Sequence, residues 1–214
     1  MAAPKHPKIY HILHWDRLPS VLRSGGLHCD ATVSRQGLRG TVIGFQHTKD
    51  ARQTKTVRGH PDIPVGQCVP FYFCPRSVML YVIHMGNHVQ LAYKGGQEPV
   101  IHLEADLRKV TEWADTHKKR WLFTLSNASS GFYEVRDNLA SLDDINWTAV
   151  TSSNWNDPIA KEGKQAEFLL ESFLPWTLIE RVGVLTEDVR DRVCSALADH
   201  AHRPCVRICR DWYY

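Results

Sequence analysis

Residues 10–27 read YHILHWDRLPSVLRSGGL, and this stretch predicts the first unit of the fold. Its apolar and aromatic opening favours a strand over residues 8–13, and the part that follows favours a short helix ended by Gly25 and Gly26. His11 lies inside the predicted strand. The simpler explanation is a core histidine whose ring bonds to backbone groups, and the alternative is a histidine that binds a ligand.

The bulk composition predicts one folded domain that spans residues 1–214. Hydrophobic residues make up 43% of the chain and charged residues 23%, which is enough apolar material for a core. The formal net charge of +3 is compatible with a nucleic-acid partner without indicating one. No apolar run is long enough for a signal peptide or a membrane span, so we expect a cytoplasmic protein that makes no membrane contact. We also expect a monomer with six reduced cysteines.

The order of local patterns predicts an α+β fold with a strand-rich core and few helices. Amphipathic segments predict helices over residues 105–119 and 187–200, and short apolar segments between them predict strands without a regular strand–helix alternation. Residues 78–84, VMLYVIH, fit a buried helix or a buried strand equally well. Residues 166–176, AEFLLESFLPW, are predicted to be extended.

Two long polar segments, residues 30–67 and 151–166, are predicted to be loops. The first is dotted with glycines and has few apolar positions, and the second combines Gly, Pro and Asn. A segment of about forty residues without a clear period is longer than an ordinary connection and is typical of a lid or a binding loop. We therefore expect both to be functional loops.

Three positions could carry chemistry, although the chain lacks GxGxxG, GxxxxGK[ST], HExxH and GxSxG motifs. The first is His11. The second is the basic run KDARQTKTVR at residues 49–58, for which a solvated surface is the simpler explanation. The third is Glu167, which interrupts the start of the apolar run KQAEFLL and must either face solvent or lie in a cleft.

The segment DHAHRPCVRIC, residues 199–209, resembles a metal site only superficially. It contains His200, His202, Cys205 and Cys209, but the spacing is not that of the usual zinc motifs. A strand predicted from Pro204 onward would also scatter the side chains. Buried thiols and surface histidines are the simpler interpretation, and we expect no metal.

Five stretches in a fixed order carry a family resemblance. They are YHILHWDRLPSVLRSGGL, VPFYFCPRSVMLYVIH, GGQEPVIHL, KQAEFLLESFLPW and VRICRDWYY. Together they resemble the DarT family, whose members are toxins that transfer ADP-ribose from NAD to a base in single-stranded DNA. The resemblance covers the chain from about residue 8 onward, implies an ADP-ribosyltransferase-like core, and favours the thymidine-modifying branch over the guanosine-modifying one.

The resemblance also implies roles for particular residues. Glu167 corresponds to the catalytic glutamate, and Arg52 corresponds to an arginine to which we give an electrostatic role, because its pKa disfavours it as a base. Residues 30–67 would be the NAD-binding loop and residues 151–166 the acceptor-recognition loop, with Trp155 available to stack on an unpaired base. NAD would be a substrate, with no metal. The residues implied to bind NAD are Tyr10, His11, Leu13, Arg52, Tyr72, Ser77 and Met79, and those implied to bind the acceptor are Ser153, Asn154, Trp155 and Lys164.

The family implies an antitoxin partner of the DarG macrodomain type, and two other functions stay open at this point. One is an NAD-dependent transferase whose acceptor is protein, RNA or water. The other is a non-catalytic nucleic-acid-binding relative, in which Arg52 and the HKKRW run at residues 117–121 would contact phosphates. The presence of His11, Arg52 and Glu167 together argues against the non-catalytic alternative.

Overall fold

Twelve strands and eight α-helices make up the computed structural model, which describes residues 1–214. The strands are β1 (Lys8–His14), β2 (Gly26–His28), β3 (Thr56–Val57), β4 (His60–Pro64), β5 (Cys68–Tyr72), β6 (Val100–Asp106), β7 (Trp121–Thr124), β8 (Val135–Arg136), β9 (Glu167–Glu171), β10 (Phe173–Pro175), β11 (Ile179–Val184) and β12 (Cys205–Ile208). The helices are α1 (Leu18–Arg23), α2 (Asp30–Gln36), α3 (Gln46–Thr54), α4 (Val78–Met85), α5 (Leu107–Thr116), α6 (Trp147–Thr151), α7 (Pro158–Gly163) and α8 (Glu187–Leu197). None of the helices has the length and apolar character needed to cross a bilayer.

Eight of the strands form one sheet in the order β12-β11-β6-β1-β5-β9-β7-β8. All neighbours are antiparallel except β11 and β12. Every residue of β6 is buried, as expected of a central strand covered on both faces. The mixture of this sheet with short helices confirms the predicted α+β class.

Strands β1 and β5 are adjacent but share a single register pair, Tyr10 with Tyr72. By contrast, β1 pairs with β6 along its whole length, from Lys8 to His14. A ladder interrupted in this way leaves a gap between the two halves of the sheet. Residues of β1 and β5 on either side of this gap line the principal cavity of the protein, which is described below.

The segment from residue 30 to residue 67 was predicted to be a long functional loop, but it is not irregular throughout. It contains α2, α3 and the hairpin β3–β4. The sequence did not predict its two helices, because neither of them has a buried residue and neither therefore shows an apolar period. The hairpin is anchored by a small apolar cluster in which Val57, Ile63 and Val65 pack against Leu122 and Leu169 of the main sheet.

Other predicted elements need smaller corrections. Residues 78–84 fall in helix α4, and the predicted loop 151–166 contains α7. The extended run 166–176 is two strands in two sheets, because Ser172 adopts a left-handed conformation with φ 68° and the chain then pairs with β2. The helices predicted at 105–119 and 187–200 are shorter, ending at residues 116 and 197.

Candidate active site

The principal cavity opens between β1, β5 and the segment that carries α2 and α3. It encloses about 440 Å³, which is within the usual range for a small-molecule site. Several residues singled out from the sequence line it together, namely His11, Leu13, Arg52, Tyr72, Met79 and Glu167.

Arg52 and Glu167 form a buried ion pair in the wall of this cavity. The Arg52 Nη2 lies 2.6 Å from Glu167 Oε1 and 2.7 Å from Oε2, and the two side chains are only 13% and 4% exposed. Burial alone would lower the pKa of Arg52, but the facing carboxylate outweighs burial and the pKa is raised. Arg52 is therefore a permanent cation and cannot accept a proton.

Backbone and hydroxyl groups hold the pair in place. The Ser129 Oγ accepts a hydrogen bond from Arg52 Nε at 2.8 Å. The Ala128 N–H approaches Glu167 Oε1 at 3.4 Å, and the Glu167 N–H donates to Thr124 Oγ1 at 3.2 Å. The charged groups are thus fixed before any ligand arrives, as electrostatic stabilisation of a transition state requires. The sequence interpretation missed Ser129, since a serine in a polar stretch carries no distinguishing pattern.

His11 spans the gap between the two halves of the sheet. Its Nδ1 lies 2.8 Å from the carbonyl of Pro70, which can only accept, so Nδ1 carries the proton. Burial lowers the pKa of His11 and keeps the ring neutral. A neutral ring protonated at Nδ1 has an acceptor at Nε2, and such an acceptor suits a sugar hydroxyl.

Tyr72 and Met79 also line the cavity, and Tyr72 lies within the electrostatic reach of the ion pair. Burial, and then the charge of Glu167, raise the pKa of Tyr72, so its phenol stays protonated and can donate. Met79 lies on α4 and offers a polarizable apolar surface. This combination of an aromatic ring and a thioether fits a flat heterocycle.

Two residues proposed for NAD binding lie outside the cavity. Tyr10 follows the alternation of β1 and points to the opposite face from His11, where its ring meets Trp212 at 5.2 Å between centroids. Ser77 is fully buried and caps α4, its Oγ accepting from the Leu80 N–H at 3.2 Å. Both residues therefore support the site through packing or capping.

The predicted acceptor loop is tied down by aromatic contacts. The Trp155 ring is stacked on Tyr81, with 4.8 Å between centroids and 12° between planes, and it also contacts Tyr214. The ring that was expected to be free thus already has a stacking partner. Ser153 and Asn154 are exposed beside it.

Lys164 is buried and lies away from the principal cavity. Its Nζ donates to the Val150 carbonyl at 2.8 Å and lies 5.5 Å from the centroid of the Trp155 ring. It joins α6 to the segment after α7 and so shapes the predicted acceptor loop.

The histidines and cysteines near the C-terminal strand do not converge. His202 Nε2 is 2.7 Å from the Ile179 carbonyl, Cys205 is exposed, and Cys209 is buried. The prediction of buried thiols therefore holds for Cys209 but is wrong for Cys205. No group of three potential metal ligands is present in the structure.

The comparisons with known proteins agree with one another. The family model described as "ssDNA thymidine ADP-ribosyltransferase, DarT" matches residues 10–214. A DNA ADP-ribosyl transferase of Thermus aquaticus is 35% identical over 216 residues, which cover 100% of this chain and 92% of that protein.

Two solved structures of DarT from Thermus sp. 2.9 have the same fold. The complex with ADP-ribosylated ssDNA matches with a TM-score of 0.88 and 33% identity, covering 100% of this chain and 99% of that one. The complex with NAD+ matches with a TM-score of 0.82 and 33% identity, covering 99% of each chain. Fold and cavity therefore define an ADP-ribosyltransferase. Within that class, the chain belongs to the DarT family of single-stranded DNA thymidine ADP-ribosyltransferases.

Proposed function

We propose that this chain transfers ADP-ribose from NAD to the base of a thymidine in single-stranded DNA, and that the principal cavity is where transfer occurs. The observation that carries the proposal is the buried ion pair of Arg52 and Glu167, which shares one cavity with His11. Family membership supplies the substrate class. The cavity draws on β1 and on β9, so residues 1–214 act as a single ADP-ribosyltransferase-like domain.

The donor reaction breaks the bond between C1′ of the ribose and the nicotinamide nitrogen. Nicotinamide leaves as a neutral molecule with the electron pair of that bond, so no acid is needed to protonate it. Positive charge develops on the ribose, as in glycoside cleavage. Glu167 provides the facing negative charge, and His11 Nε2 accepts a hydrogen bond from a ribose hydroxyl.

The acceptor reaction forms a bond from a thymine nitrogen to C1′. That nitrogen must lose its proton as the bond forms, and we assign this step to the Glu167 carboxylate in the cavity. Arg52 remains a cation and stabilises negative charge on the diphosphate or on the base. Single-stranded DNA suits this step because an unpaired base reaches the site without the cost of being flipped out of a duplex.

The acceptor is proposed to enter beside residues 151–166, with Ser153 and Asn154 at its exposed edge. Trp155 stacks on Tyr81 in the structure, so a base that uses this ring must take the place of Tyr81. The exchange of one aromatic partner for another keeps most of the stacking energy.

The test mixes purified protein with NAD and short single-stranded oligonucleotides that differ only in one central base. Mass analysis should show one ADP-ribose added to the thymidine oligonucleotide and none on a matched oligonucleotide without thymidine. Consumption of NAD without an adduct would assign the cavity to another acceptor or to water. If NAD were not consumed at all, the proposal that this cavity is a catalytic site would be contradicted.

A macrodomain antitoxin of the DarG type is the partner that the family resemblance implies. A macrodomain that hydrolyses the bond between the thymine nitrogen and C1′ would counter a transferase of this specificity, because water takes the ribose and the nitrogen regains its proton. Incubation of the modified oligonucleotide with a purified DarG macrodomain should restore the unmodified mass. Persistence of the adduct would argue against that partner.

A further inference from the structure

Phe132 is an exposed aromatic ring three residues after Ser129, which bonds to Arg52 of the proposed catalytic pair. It is 73% exposed, and it is the only aromatic residue among the large hydrophobic side chains that lie open to solvent. A single exposed apolar residue is ordinary on a protein surface. The neighbours of Phe132 are what set it apart.

One cation lies against this ring, and a second lies against the ring of the next residue, Tyr133. The Arg58 guanidinium is 4.3 Å from the centroid of Phe132, and Arg58 Nη1 also donates to the Tyr133 carbonyl at 3.3 Å. Lys55 Nζ lies 5.2 Å from the centroid of the Tyr133 ring and donates to the Ser130 carbonyl. The ring of Phe132 is thus supported by a guanidinium and yet remains largely exposed.

Neither Lys55 nor Arg58 forms a salt bridge. Arg120 and Arg136, at the neighbouring strands, each bridge two carboxylates. Cations without a carboxylate partner keep their charge available for an anionic ligand, and a phosphate diester is the anion that nucleic acids present at regular intervals.

The patch is continuous with the catalytic pair. Ser129 bonds to Arg52, the next residue bonds to Lys55, and Phe132 follows two residues later. Burial and the nearby charge of Arg52 lower the pKa of Lys55, which agrees with its closeness to the pair. A single strand of DNA whose target base reaches Glu167 would therefore pass over residues 129–133.

We propose that Phe132, Arg58 and Lys55 form a binding platform for the single-stranded DNA that flanks the modified base. The Phe132 ring stacks on a neighbouring base, and the two cations contact the phosphates on either side of that base. Aromatic rings combined with unpaired cations are the usual composition of single-strand binding grooves. The inference rests on the proposed function, because it assigns a surface to the acceptor of that reaction.

The first test measures binding of a labelled thymidine-containing oligonucleotide to three variants. Phe132→Ala and Phe132→Leu should each raise the Kd about 5- to 150-fold, since both remove the stacking face and the second retains apolar bulk. Phe132→Trp should bind within about 3-fold of the wild type. All three should bind NAD as the wild type does.

The second test measures the salt dependence of DNA binding. Arg58→Gln should lower the slope of log K against log salt by about 0.7, the value for one phosphate contact on a single strand. The matched control is Arg192→Gln, which removes the same charge from α8, where Arg192 pairs with Asp188. That control should leave the slope unchanged.

The outcomes separate the two proposals. Wild-type affinity in Phe132→Ala, or an equal slope change in both arginine variants, would overturn the platform. Absence of any DNA adduct with the wild-type protein would overturn the proposed function. Binding is measured without NAD, so the platform is tested even in that case.

Discussion

The guanidinium of Arg52 donates from one nitrogen to both carboxylate oxygens of Glu167, at 2.6 and 2.7 Å, although 115 positions separate the two residues. One partner comes from α3 and the other from the start of β9. The contact can therefore form only when the segment after β2 is packed on the main sheet. It also means that the charges are paired before a ligand enters.

Glu167→Gln should slow transfer strongly while NAD still binds. The change removes the negative charge that faces the developing positive charge on the ribose, and loss of such a group typically costs about 100- to 1000-fold in rate. The measurement is single-turnover formation of the DNA adduct, with NAD affinity from calorimetry as the companion. Wild-type rates in this variant would contradict the assigned mechanism.

The stability of the same variant provides a control. Glu167→Gln leaves Arg52 buried opposite a neutral group, and breaking a buried pair on one side commonly costs about 3–5 kcal/mol. The double change Arg52→Met with Glu167→Leu should be inactive but closer to the wild type in free energy of unfolding, since neither charge is then buried. Denaturant unfolding distinguishes the two variants, and a double variant less stable than the single one would show that the pair is required for folding.

Ser129→Ala should reduce turnover more than it weakens NAD binding. The hydroxyl fixes the Arg52 guanidinium through Nε, and a hydrogen bond to a charged group is worth about 1.5–3 kcal/mol, or about 10- to 150-fold. Ser129→Thr, which keeps the hydroxyl, should restore most of the rate. The separation of kcat from KM tests positioning, because a purely structural defect would not be rescued selectively in kcat.

Trp155→Ala should weaken DNA binding more than NAD binding. Its ring is the stacking surface in the proposed acceptor loop, and loss of one stacked base costs about 1–3 kcal/mol. The matched variant is Tyr81→Ala, which removes the ring that occupies this surface and should not weaken DNA binding. Equal losses in the two variants would mean that Trp155 acts through loop packing alone.

Acidification should destabilise the fold through His102. Burial lowers its pKa to about 4 although the hydrogen bond to the Pro75 carbonyl opposes this, and its Nδ1 is buried without a partner. The unfolded chain takes up the proton near pH 6.5 and the folded chain only near pH 4. The free energy of unfolding is therefore unaffected by His102 above pH 6.5 and decreases as the pH falls below that value. From pH 7 to pH 4 the loss is about 3 kcal/mol.

The check is thermal or denaturant unfolding at both pH values for the wild type and for His102→Gln. The variant should lose about 3 kcal/mol less than the wild type over this pH interval. An identical pH dependence in both proteins would remove His102 as the cause.

The sequence indicated Glu167 as a candidate because a carboxylate at the start of an apolar strand is unusual. Arg52 depended on family resemblance, since the run around it also fits a solvated surface. The helix that carries Arg52 was not predicted because α3 has no buried residue and therefore no apolar period.

The misplaced residues have a physical explanation too. Tyr10 and His11 are neighbours on one strand, and the alternation of side chains prevents both from facing the same cavity. Ser129 could not be found, because its role arises only when the segment after β7 meets α3 in three dimensions. Lys164 was implied by the resemblance to bind the acceptor, but a backbone carbonyl of α6 holds it inside.

The anchoring of the β3–β4 hairpin by a small apolar cluster, separate from the main core, has a consequence for native-state fluctuations. Only three buried apolar side chains, Val57, Ile63 and Val65, hold residues 46–67 to the sheet, so this segment should open at a lower free energy than the central strands. Amide hydrogens there should exchange with solvent earlier than those of β6. Each such opening carries Arg52 away from Glu167 while the remainder stays folded. The fraction of molecules competent for transfer is then set by this local equilibrium and not by global unfolding.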